Sequence, residues 1–183
     1  LTTPAPTGAF RLQFDNPGEI ALVREGIALF DSFAEATGLP GYDLGLRHGG
    51  YLFCTTTEAG MRRQAGWVAA QHGWGLTDVE LLDGDEARYR FPHLGPAVRQ
   101  ARYRAGDGWL DPRRLTLGYA RASGATICLN CPALGIEMAD GRVIGVRTAG
   151  GTVACGAVVV AAGPFSGRVA AMAGLALVLR PTR

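Results

Sequence analysis

Three basic side chains in the first third of the chain have the chemistry to bind or activate a small substrate. Arg11 carries a guanidinium group, which pairs with a carboxylate through two parallel hydrogen bonds. Its alternative interpretation is a surface arginine that follows a short strand. Arg47 and His48 directly precede Gly49-Gly50, where the bare backbone can approach a ligand closely. Imidazole titrates near neutral pH, so His48 is a candidate general base.

Tyr51 is a further candidate because it begins an apparent strand. Tyr51, Leu52 and Phe53 are consecutive, and consecutive side chains of a strand point to opposite faces. One face of this strand could therefore line a cavity and present Tyr51 to a ligand. The alternative is a tyrosine that packs in the core.

A second candidate site lies near the end of the chain. Val158–Ala162 is an apolar run without polar alternation, and its β-branched residues predict a strand that is buried on both faces. The strand ends at Gly163-Pro164, and a helical pattern follows. Strand, glycine turn and helix in this order are typical of α/β sheets that bind ligands beyond the carboxyl ends of their strands. The alternative is an ordinary buried strand and a tight turn.

Composition excludes several classes of protein. The chain has 183 residues, 48% of them hydrophobic, which is enough for a substantial core in one large domain or parts of two. The net charge is only +2 and the arginines are spread along the chain, so we expect no nucleic-acid partner. No apolar run approaches the roughly 20 residues that a membrane span needs, and no signal-peptide pattern opens the chain. We therefore expect no membrane partner.

The four cysteines do not predict a metal site. Cys128 and Cys131 are spaced as CxxC, but residues three apart on the strand predicted around them point to opposite faces. A zinc site would need two further ligands, and Cys54 and Cys155 stand alone in the sequence. We interpret the cysteines as structural or incidental and predict no metal. The lack of a disulfide framework favours a reducing, cytoplasmic compartment.

Capping signals mark the helices that must position these residues. Asn16 followed by Pro17 predicts a helix start, and apolar residues at helical spacing continue from there to Gly38. Each of the other helices also begins at a side chain that can accept a backbone N–H. These helices are predicted from Thr57 to about Gly73, from Asp83 to Phe91-Pro92, and from Asp111-Pro112 to Ser123-Gly124.

Short strands are predicted between and after the helices. Val98–Arg104 alternates well enough to be a half-exposed strand, and Asp140-Gly141 and Gly150-Gly151 predict hairpin turns. The chain changes near Gly124 from alternating helices and strands to a small meander, so we place a domain boundary there. The other predicted strands are Phe10–Phe14, Leu44–Thr55, Thr77–Leu82, Thr126–Leu129, Leu134–Ala139, Arg142–Thr148, Thr152–Cys155 and 157–162.

Four segments carry a family resemblance. They are Gly8-Ala9-Phe10-Arg11-Leu12-Gln13, Arg47-His48-Gly49-Gly50-Tyr51-Leu52, Gly106-Asp107-Gly108-Trp109-Leu110-Asp111-Pro112 and Val158–Phe165. Together and in this order, the segments resemble the FAD-dependent amine and amino-acid oxidoreductases of the D-amino-acid oxidase superfamily. Sarcosine oxidase, glycine oxidase and dimethylglycine dehydrogenase belong to that superfamily. The resemblance covers essentially the whole chain.

The resemblance implies an α/β (α+β) fold in two parts. Residues 1–124 would be a portion of a substrate-binding domain with helices and a mixed sheet. Residues 125–183 would be part of a doubly wound FAD-binding domain with a β-meander, a buried strand and a following helix. It also implies the reaction, in which a hydride leaves the carbon next to the nitrogen of a small amine or amino acid and passes to FAD.

The resemblance further implies a set of site residues. It places Arg11 in a substrate-facing loop. Arg11 and His48 are the catalytic candidates. Arg47 and Tyr51 are the substrate-binding candidates. Enzymes of this superfamily often need no protein base, which weighs against that role for His48. The implied cofactor-binding residues are Pro132 and Ala133 at the adenosine part, and Ala161, Ala162, Gly163 and Phe165 in a turn that passes close to the flavin nucleotide.

One hallmark of the superfamily is missing from the sequence. Its phosphate-binding turn, GxGxxG, occurs nowhere in the chain, and Gly45–Gly50 does not have the required spacing. In the superfamily that turn precedes the segment with which this chain opens, and a further stretch follows the point where it stops. We therefore expect a central fragment of a longer enzyme, cut after Arg183 as by a trypsin-like protease. We also expect that this polypeptide alone does not hold FAD.

Two other interpretations remain open. The chain could be a non-catalytic module or subunit that keeps the fold without binding FAD, as the missing phosphate-binding turn suggests. It could also be a small α/β binding protein unrelated to flavin. An open reading frame that extends on both sides, with GxGxxG upstream, would favour the enzyme over either alternative. The substrate, the electron acceptor, the mode of flavin attachment and the oligomeric state do not follow from the sequence.

Overall fold

The computed structural model describes residues 7–179 and divides into two compact units, Leu1–Gly124 and Ala125–Arg183. The cut site proposed after Arg183 lies outside the described residues. The first unit holds most of the helices, whereas the second is built mainly from a β-meander.

Local capping explains where the long helices of the first unit begin, and it confirms the predicted starts. Asn16 accepts the amide of Glu19 at 2.8 Å, and Thr57 accepts the amide of Gly60 at 3.1 Å. Asp83 and Asp111 likewise accept first-turn amides of the helices that follow them. The helices are α1 (Pro17–Asp31), α2 (Phe33–Ala36), α3 (Glu58–Gly73), α4 (Gly84–Arg90) and α5 (Pro112–Ala122).

The first helix is shorter than predicted, because the helical pattern that continues to Gly38 is interrupted at Ser32. The Ser32 hydroxyl donates to the carbonyl oxygen of Ala28 at 3.0 Å, and its ψ of 19° departs from helical geometry. A serine hydroxyl that bonds back to the preceding turn competes with the helical ladder and bends the chain. The chain resumes as the short α2, whose Phe33 is buried against Leu44 and Leu110.

Two small antiparallel sheets complete the first unit. Strands β1 (Ala9–Phe10) and β5 (Gly108–Trp109) pair with each other. In the second sheet, β4 (Gln100–Arg104) lies between β2 (Tyr51–Thr55) and β3 (Glu80–Asp83). Among the described residues, every strand pair of this unit is antiparallel, so the mixed pairing that the resemblance implies is not seen there.

The structure corrects the prediction for 98–104. The strand there is central in its sheet, and it buries Ala101, Arg102 and Tyr103 instead of exposing one face. Strands pair with it on both edges, and α3 and α4 pack against the sheet. A short alternating sequence cannot reveal this, since a charged residue between two apolar ones usually marks a solvated face.

Apolar side chains from separate segments form the core of the first unit. Each buried aliphatic side chain contributes roughly 1.5–3 kcal/mol to folding. The largest cluster joins the segment after β1 to α1, α3 and the loop after α3. It is formed by Leu12, Ile20, Ile27, Val68, Leu76 and Val79.

The second unit contains a three-stranded meander, formed by three of the five strands predicted for it. Its strands are β6 (Gly135–Ala139), β7 (Arg142–Thr148) and β8 (Gly151–Ala154), paired antiparallel in chain order. Asp140 and Gly141 have φ of 50° and 74°, as a tight hairpin turn requires. A single 3-10 turn (Gly163–Phe165) and the helix α6 (Ser166–Ala171) follow.

Two predicted strands of the second unit are absent from the described residues. Neither Thr126–Leu129 nor 157–162 forms a strand, and Val159 is 90% exposed. An apolar run becomes a buried strand only when neighbouring strands pair with its backbone and other elements cover its faces. Within residues 125–179, the only described strands are those of the meander, and they pair with one another.

Candidate functional site

A small pocket in the first unit brings together two arginine side chains. It has a volume of about 220 Å³ and is lined by Arg11, which follows β1, and by Arg102 of the central strand β4. Aromatic and polar side chains make up the rest of the wall, so the pocket combines positive charge with apolar surface. They are Gln13, Phe14, Asp15, Phe53 and Trp67.

Arg11 is half-buried and lies against aromatic rings. Its guanidinium carbon is 4.9 Å from the ring centre of Phe14, 5.6 Å from that of Tyr51 and 5.4 Å from that of Phe53. Cation–π contacts of this kind hold the side chain in place without using its hydrogen-bond donors. Its Nε is buried and has no hydrogen-bond partner among residues 7–179. The group is therefore free to pair with a ligand carboxylate.

Arg102 is the second guanidinium group of the pocket, and it is only 7% exposed. Its guanidinium carbon lies 4.5 Å from the ring centre of Phe53, the same ring that Arg11 contacts. Burial lowers the pKa of Arg102, and the positive charge of Arg11 lowers it further. Within the described part of the chain, neither arginine forms an ion pair. The Nε of Arg102 also lacks a hydrogen-bond partner there.

A buried carboxylate fixes the backbone beside Arg11. Asp107 is fully buried and accepts the Leu12 amide at 2.9 Å and the Gln13 side-chain amide at 3.1 Å. Arg104 donates to the same carboxylate at 2.7 Å. Gln13 additionally donates to the carbonyl oxygen of Tyr51 at 2.9 Å. The segment that carries Arg11 is thereby held between β2 and the loop that precedes β5.

His48 lies apart from this pocket and is held by two hydrogen bonds. Its Nε2 is 2.7 Å from a carboxylate oxygen of Asp31, and its Nδ1 is 3.0 Å from the carbonyl oxygen of Gly106. The Asp31 hydrogen bond, followed by the Gly106 bond, raises the pKa of His48. A carbonyl and a carboxylate both accept, so these contacts favour the imidazolium form, in which both ring nitrogens donate. A general base must be neutral and keep a free lone pair, so the two contacts weigh against that role.

The two substrate-binding candidates are placed differently. Arg47 is exposed and pairs through its backbone with Trp109, while its guanidinium group donates to the carbonyl oxygen of Leu46. It does not line the pocket. Tyr51 is half-buried in β2, and its ring is in contact range of Arg11, although the ring itself is not part of the pocket wall. The structure therefore brings Arg11 and Tyr51 together and leaves Arg47 and His48 elsewhere in the first unit.

The cofactor candidates all lie in the second unit. Pro132 is exposed and Ala133 half-buried in the irregular segment before β6, and Ala161 to Phe165 precede and form the 3-10 turn. A Cβ placed on Gly163 would meet no atom within 4 Å, so the backbone there is open to close approach. Ala161, Ala162 and Gly163 are small, and Pro132, Ala161, Gly163 and Phe165 are exposed. They include no phosphate-binding GxGxxG turn, which the sequence lacks.

Sequence reasoning did not find Arg102 or Asp107. Arg102 sits in a strand whose alternation predicts a solvent-facing charge, so only the central position of β4 reveals its burial. In the sequence, Asp107 is only one member of the segment Gly106–Pro112, which carries part of the family resemblance. A signal was present there, since an aspartate between two glycines is free to turn its carboxylate toward backbone amides. Its partners Leu12 and Gln13 are more than 90 positions away in sequence.

Other kinds of site find little support in the described part of the chain. Residues 7–179 contain no group of three metal-ligating side chains. The four cysteines are free thiols, three of them exposed. No helix in this range is long and apolar enough to cross a membrane.

Comparison with known sequences identifies relatives of the whole chain. Residues 2–183 match the family DAO, described as FAD dependent oxidoreductase. The chain is 35% identical over 136 residues to the sarcosine oxidase subunit beta of Rhizobium meliloti, covering 69% of this chain and 32% of that protein. It is 33% identical over 109 residues to the glycine oxidase of Pseudomonas putida, covering 57% and 30%. The chain thus spans about a third of the length of these relatives.

Solved structures give the same picture of the fold. Glycine oxidase from Geobacillus kaustophilus superposes with a TM-score of 0.84 at 28% identity, over 96% of this chain and 49% of that one. L-proline dehydrogenase from P. horikoshii superposes with a TM-score of 0.82 over 93% and 45%, but its 24% identity supports the fold alone. The chain therefore has the α/β fold of part of these proteins and spans about half of their length.

Proposed function

Because the chain belongs to the DAO family of FAD-dependent oxidoreductases, we propose that it forms part of an enzyme that oxidises the C–N bond of a small amine or amino acid. The observation that carries this proposal is the pocket in which the Arg11 guanidinium group lies against aromatic rings, its Nε without a hydrogen-bond partner among residues 7–179. The names of the relatives, sarcosine oxidase and glycine oxidase, fit a small amino acid as substrate.

In this proposal Arg11 binds the substrate carboxylate. The rings of Phe14 and Phe53 hold the guanidinium group and exclude water from one side of the pocket, which strengthens the ion pair. Asp107 acts indirectly, because it fixes the amide of Leu12 beside Arg11. A carboxylate held at one end leaves the carbon next to the nitrogen in a defined position, and that alignment is the contribution this unit makes to the reaction.

The chemistry itself belongs to FAD, which accepts the hydride when it is bound. We propose that Pro132 and Ala133 lie against its adenosine part and that Ala161–Gly163 and Phe165 form one side of its nucleotide site. The small size of Ala133 and Ala161–Gly163 and the exposure of Pro132, Gly163 and Phe165 support this assignment. Arg47 keeps its proposed role in substrate binding at the surface of the first unit, whereas the contacts of His48 favour a structural role over that of a base.

The second candidate function is that of a non-catalytic module with the same fold. The lack of GxGxxG in the sequence favours it, because the pyrophosphate of FAD then has no cradle of backbone amides in this polypeptide. We therefore propose that the chain alone is inactive and does not retain FAD. The free thiols agree with a cytoplasmic location, which we keep as part of the proposal.

Expression of the full reading frame that contains this chain tests the proposal. The purified protein is mixed without oxygen with sarcosine, glycine and a small panel of other amines and amino acids, and bleaching of the flavin absorbance is recorded. We expect bleaching with at least one of them. An FAD-loaded protein that none of them reduces would contradict the proposal. A reading frame that lacks GxGxxG, and a product that binds no FAD, would support the non-catalytic module instead.

The Arg11→Met variant of that protein tests the carboxylate-binding role. Loss of a charge-assisted pair costs about 1.5–3 kcal/mol, so we expect KM for the preferred amino acid to rise at least about tenfold, with a smaller change in kcat. Arg62→Met is the matched control, since Arg62 is exposed on α3, pairs with Glu58 and does not line the pocket. An unchanged KM in Arg11→Met would remove Arg11 from the site.

A further inference from the structure

The charges around the pocket do not balance. Arg11 and Arg102 bring two positive charges, and Asp15 is the only acidic side chain in the wall. Asp15 is exposed to solvent, and it forms no ion pair with either arginine among the described residues. Its charge is therefore largely screened by water. Asp15 and the buried Asp107 both attract Arg102 electrostatically, but neither forms an ion pair with it among residues 7–179, so the pocket wall keeps an excess of positive charge.

Burying the Arg102 side chain without a charged partner costs free energy. It is more than nine-tenths buried, its Nε has no hydrogen-bond partner in the part of the chain that the structure describes, and Arg11 lies against the same Phe53 ring. Unpaired buried charges destabilise a fold, and two like charges in contact with one ring repel each other. A buried guanidinium group of this kind is stabilised when a ligand brings the missing negative charge.

A zwitterionic amino acid does not bring enough negative charge. Glycine and sarcosine carry one carboxylate and one ammonium group, so their net charge is zero. A carboxylate bound at Arg11 leaves Arg102 unpaired, and the substrate ammonium would add a third positive charge. An amino acid with a second carboxylate has a net charge of −1 and can place one carboxylate at each arginine. Both arginines line the same pocket of about 220 Å³, so one small molecule can reach both.

We propose that the pocket selects a dicarboxylic substrate, with Arg11 and Arg102 each binding one carboxylate. The inference rests on the proposed function for calling the ligand a substrate, but not for the binding itself. Arg102 is then the residue that determines specificity. The aromatic residues Phe14, Phe53 and Trp67 surround the short carbon chain between the two carboxylates.

Succinate and butanoate are suitable probes, because both have four carbons and differ by one carboxylate. Neither contains nitrogen, so neither can be oxidised at a C–N bond, and binding is read independently of catalysis. Isothermal titration of the 183-residue chain is expected to give a Kd for succinate at least about tenfold lower than that for butanoate. The preference should shrink as salt is added, because screening weakens the second ion pair. Equal affinities for the two acids would overturn the proposal.

Substitution of Arg102 assigns the preference to this residue. Arg102→Met has similar length and no charge, and it is expected to bind succinate and butanoate with Kd values within about twofold of each other. Arg99→Met is the matched control, because Arg99 is exposed and pairs with Glu58 outside the pocket; it should keep the wild-type preference. A preference that persists in Arg102→Met would overturn the proposal.

Circular dichroism confirms that the variants are folded, and Arg102→Gln replaces Arg102→Met if the latter is not. The same result is expected from it, since glutamine also lacks the charge. Failure of the two proposals can be told apart. A protein that prefers succinate but oxidises no amine retains this inference and loses the proposed function. A protein that oxidises monocarboxylic amino acids and binds both acids equally retains the function and loses this inference.

Discussion

Arg11 owes its position to its neighbours in the sequence. The amide of Leu12 and the side chain of Gln13 both bind the buried carboxylate of Asp107, and Arg104 supplies its countercharge. Arg11 itself is left with aromatic contacts and an Nε that has no hydrogen-bond partner in the described part of the chain. A binding residue is most precise when packing and neighbouring hydrogen bonds hold it before the ligand arrives.

Asp107→Asn tests this positioning role. An asparagine keeps the shape but loses the charge beside Arg104 and turns a donor group toward other donors. Removing one partner of a buried pair costs roughly 3–5 kcal/mol, so we expect a loss of that order in the free energy of unfolding, measured with urea. Asp85→Asn is the control, because Asp85 is almost fully exposed beside Arg88 and its loss should cost less than about 0.5 kcal/mol. Equal, small effects would contradict the role.

The His48–Asp31 pair predicts a pH dependence. Because the pKa of His48 is raised in the folded protein, the pair stabilises the fold fully below the unfolded pKa of about 6.5 and loses this effect as pH rises through the folded pKa. Solvent exposure keeps the effect below about 1 kcal/mol.

We expect NMR titration to show a lower pKa for His48 in Asp31→Asn than in the wild type. The stability difference between the two proteins should be larger near pH 6 than near pH 9, by the linkage between protonation and folding. Glu25→Gln, an exposed change on the same helix α1, should leave the His48 titration unchanged. An identical His48 pKa in Asp31→Asn would show that the hydrogen bond does not control it.

At the scale of elements, close backbone packing joins the segment around Arg47 to β5. A Cβ on Gly108 would clash with the carbonyl oxygen of Arg47, a residue whose backbone pairs with Trp109. Neither backbone can move without breaking that pairing. Gly108 therefore connects two segments. One is β5 with the loop that carries Asp107, and the other is the segment that contains Arg47 and His48.

Gly108→Ala and Gly66→Ala should have opposite effects on stability. Overpacking at Gly108 is expected to cost about 2–3 kcal/mol in urea unfolding. Gly66 lies exposed within α3, where a Cβ would meet nothing within 4 Å, so alanine should stabilise by about 0.5–1 kcal/mol. A neutral Gly108→Ala would mean that the Arg47–Trp109 pairing is looser than described.

At the scale of the whole molecule, the chain provides the candidate cofactor residues without a phosphate-binding turn. We predict that the 183-residue chain, purified after mixing with excess FAD and gel filtration, carries far less than one flavin per protein by absorbance. The physical reason is that no glycine-rich turn presents backbone amides to the pyrophosphate. The full reading frame, with GxGxxG present, is the positive control. A stoichiometric flavin spectrum from the chain alone would refute this prediction.

The capped helices and the meander were predictable because their signals are local. Asn16, Thr57 and Asp83 each accept a hydrogen bond from the amide three positions ahead, so both partners lie within one helical turn. The hairpin at Asp140 is equally local. The family was also predictable, since four segments kept their order along the chain. Arg11 was proposed for the site on these grounds.

Only the tertiary structure decided which charges are buried. Arg102 is in the pocket because β2 and β3 pair on either side of its strand, and Asp107 binds Leu12 across 95 positions of sequence. Val158–Ala162 shows the converse, since an apolar run forms no buried strand without neighbours to pair with. The sequence by itself determined the helices, the meander and the family, because those depend on local contacts and ordered motifs. The pairing of distant segments determined the two-arginine pocket, because a side chain of a strand becomes buried only when neighbouring strands and helices pack around it.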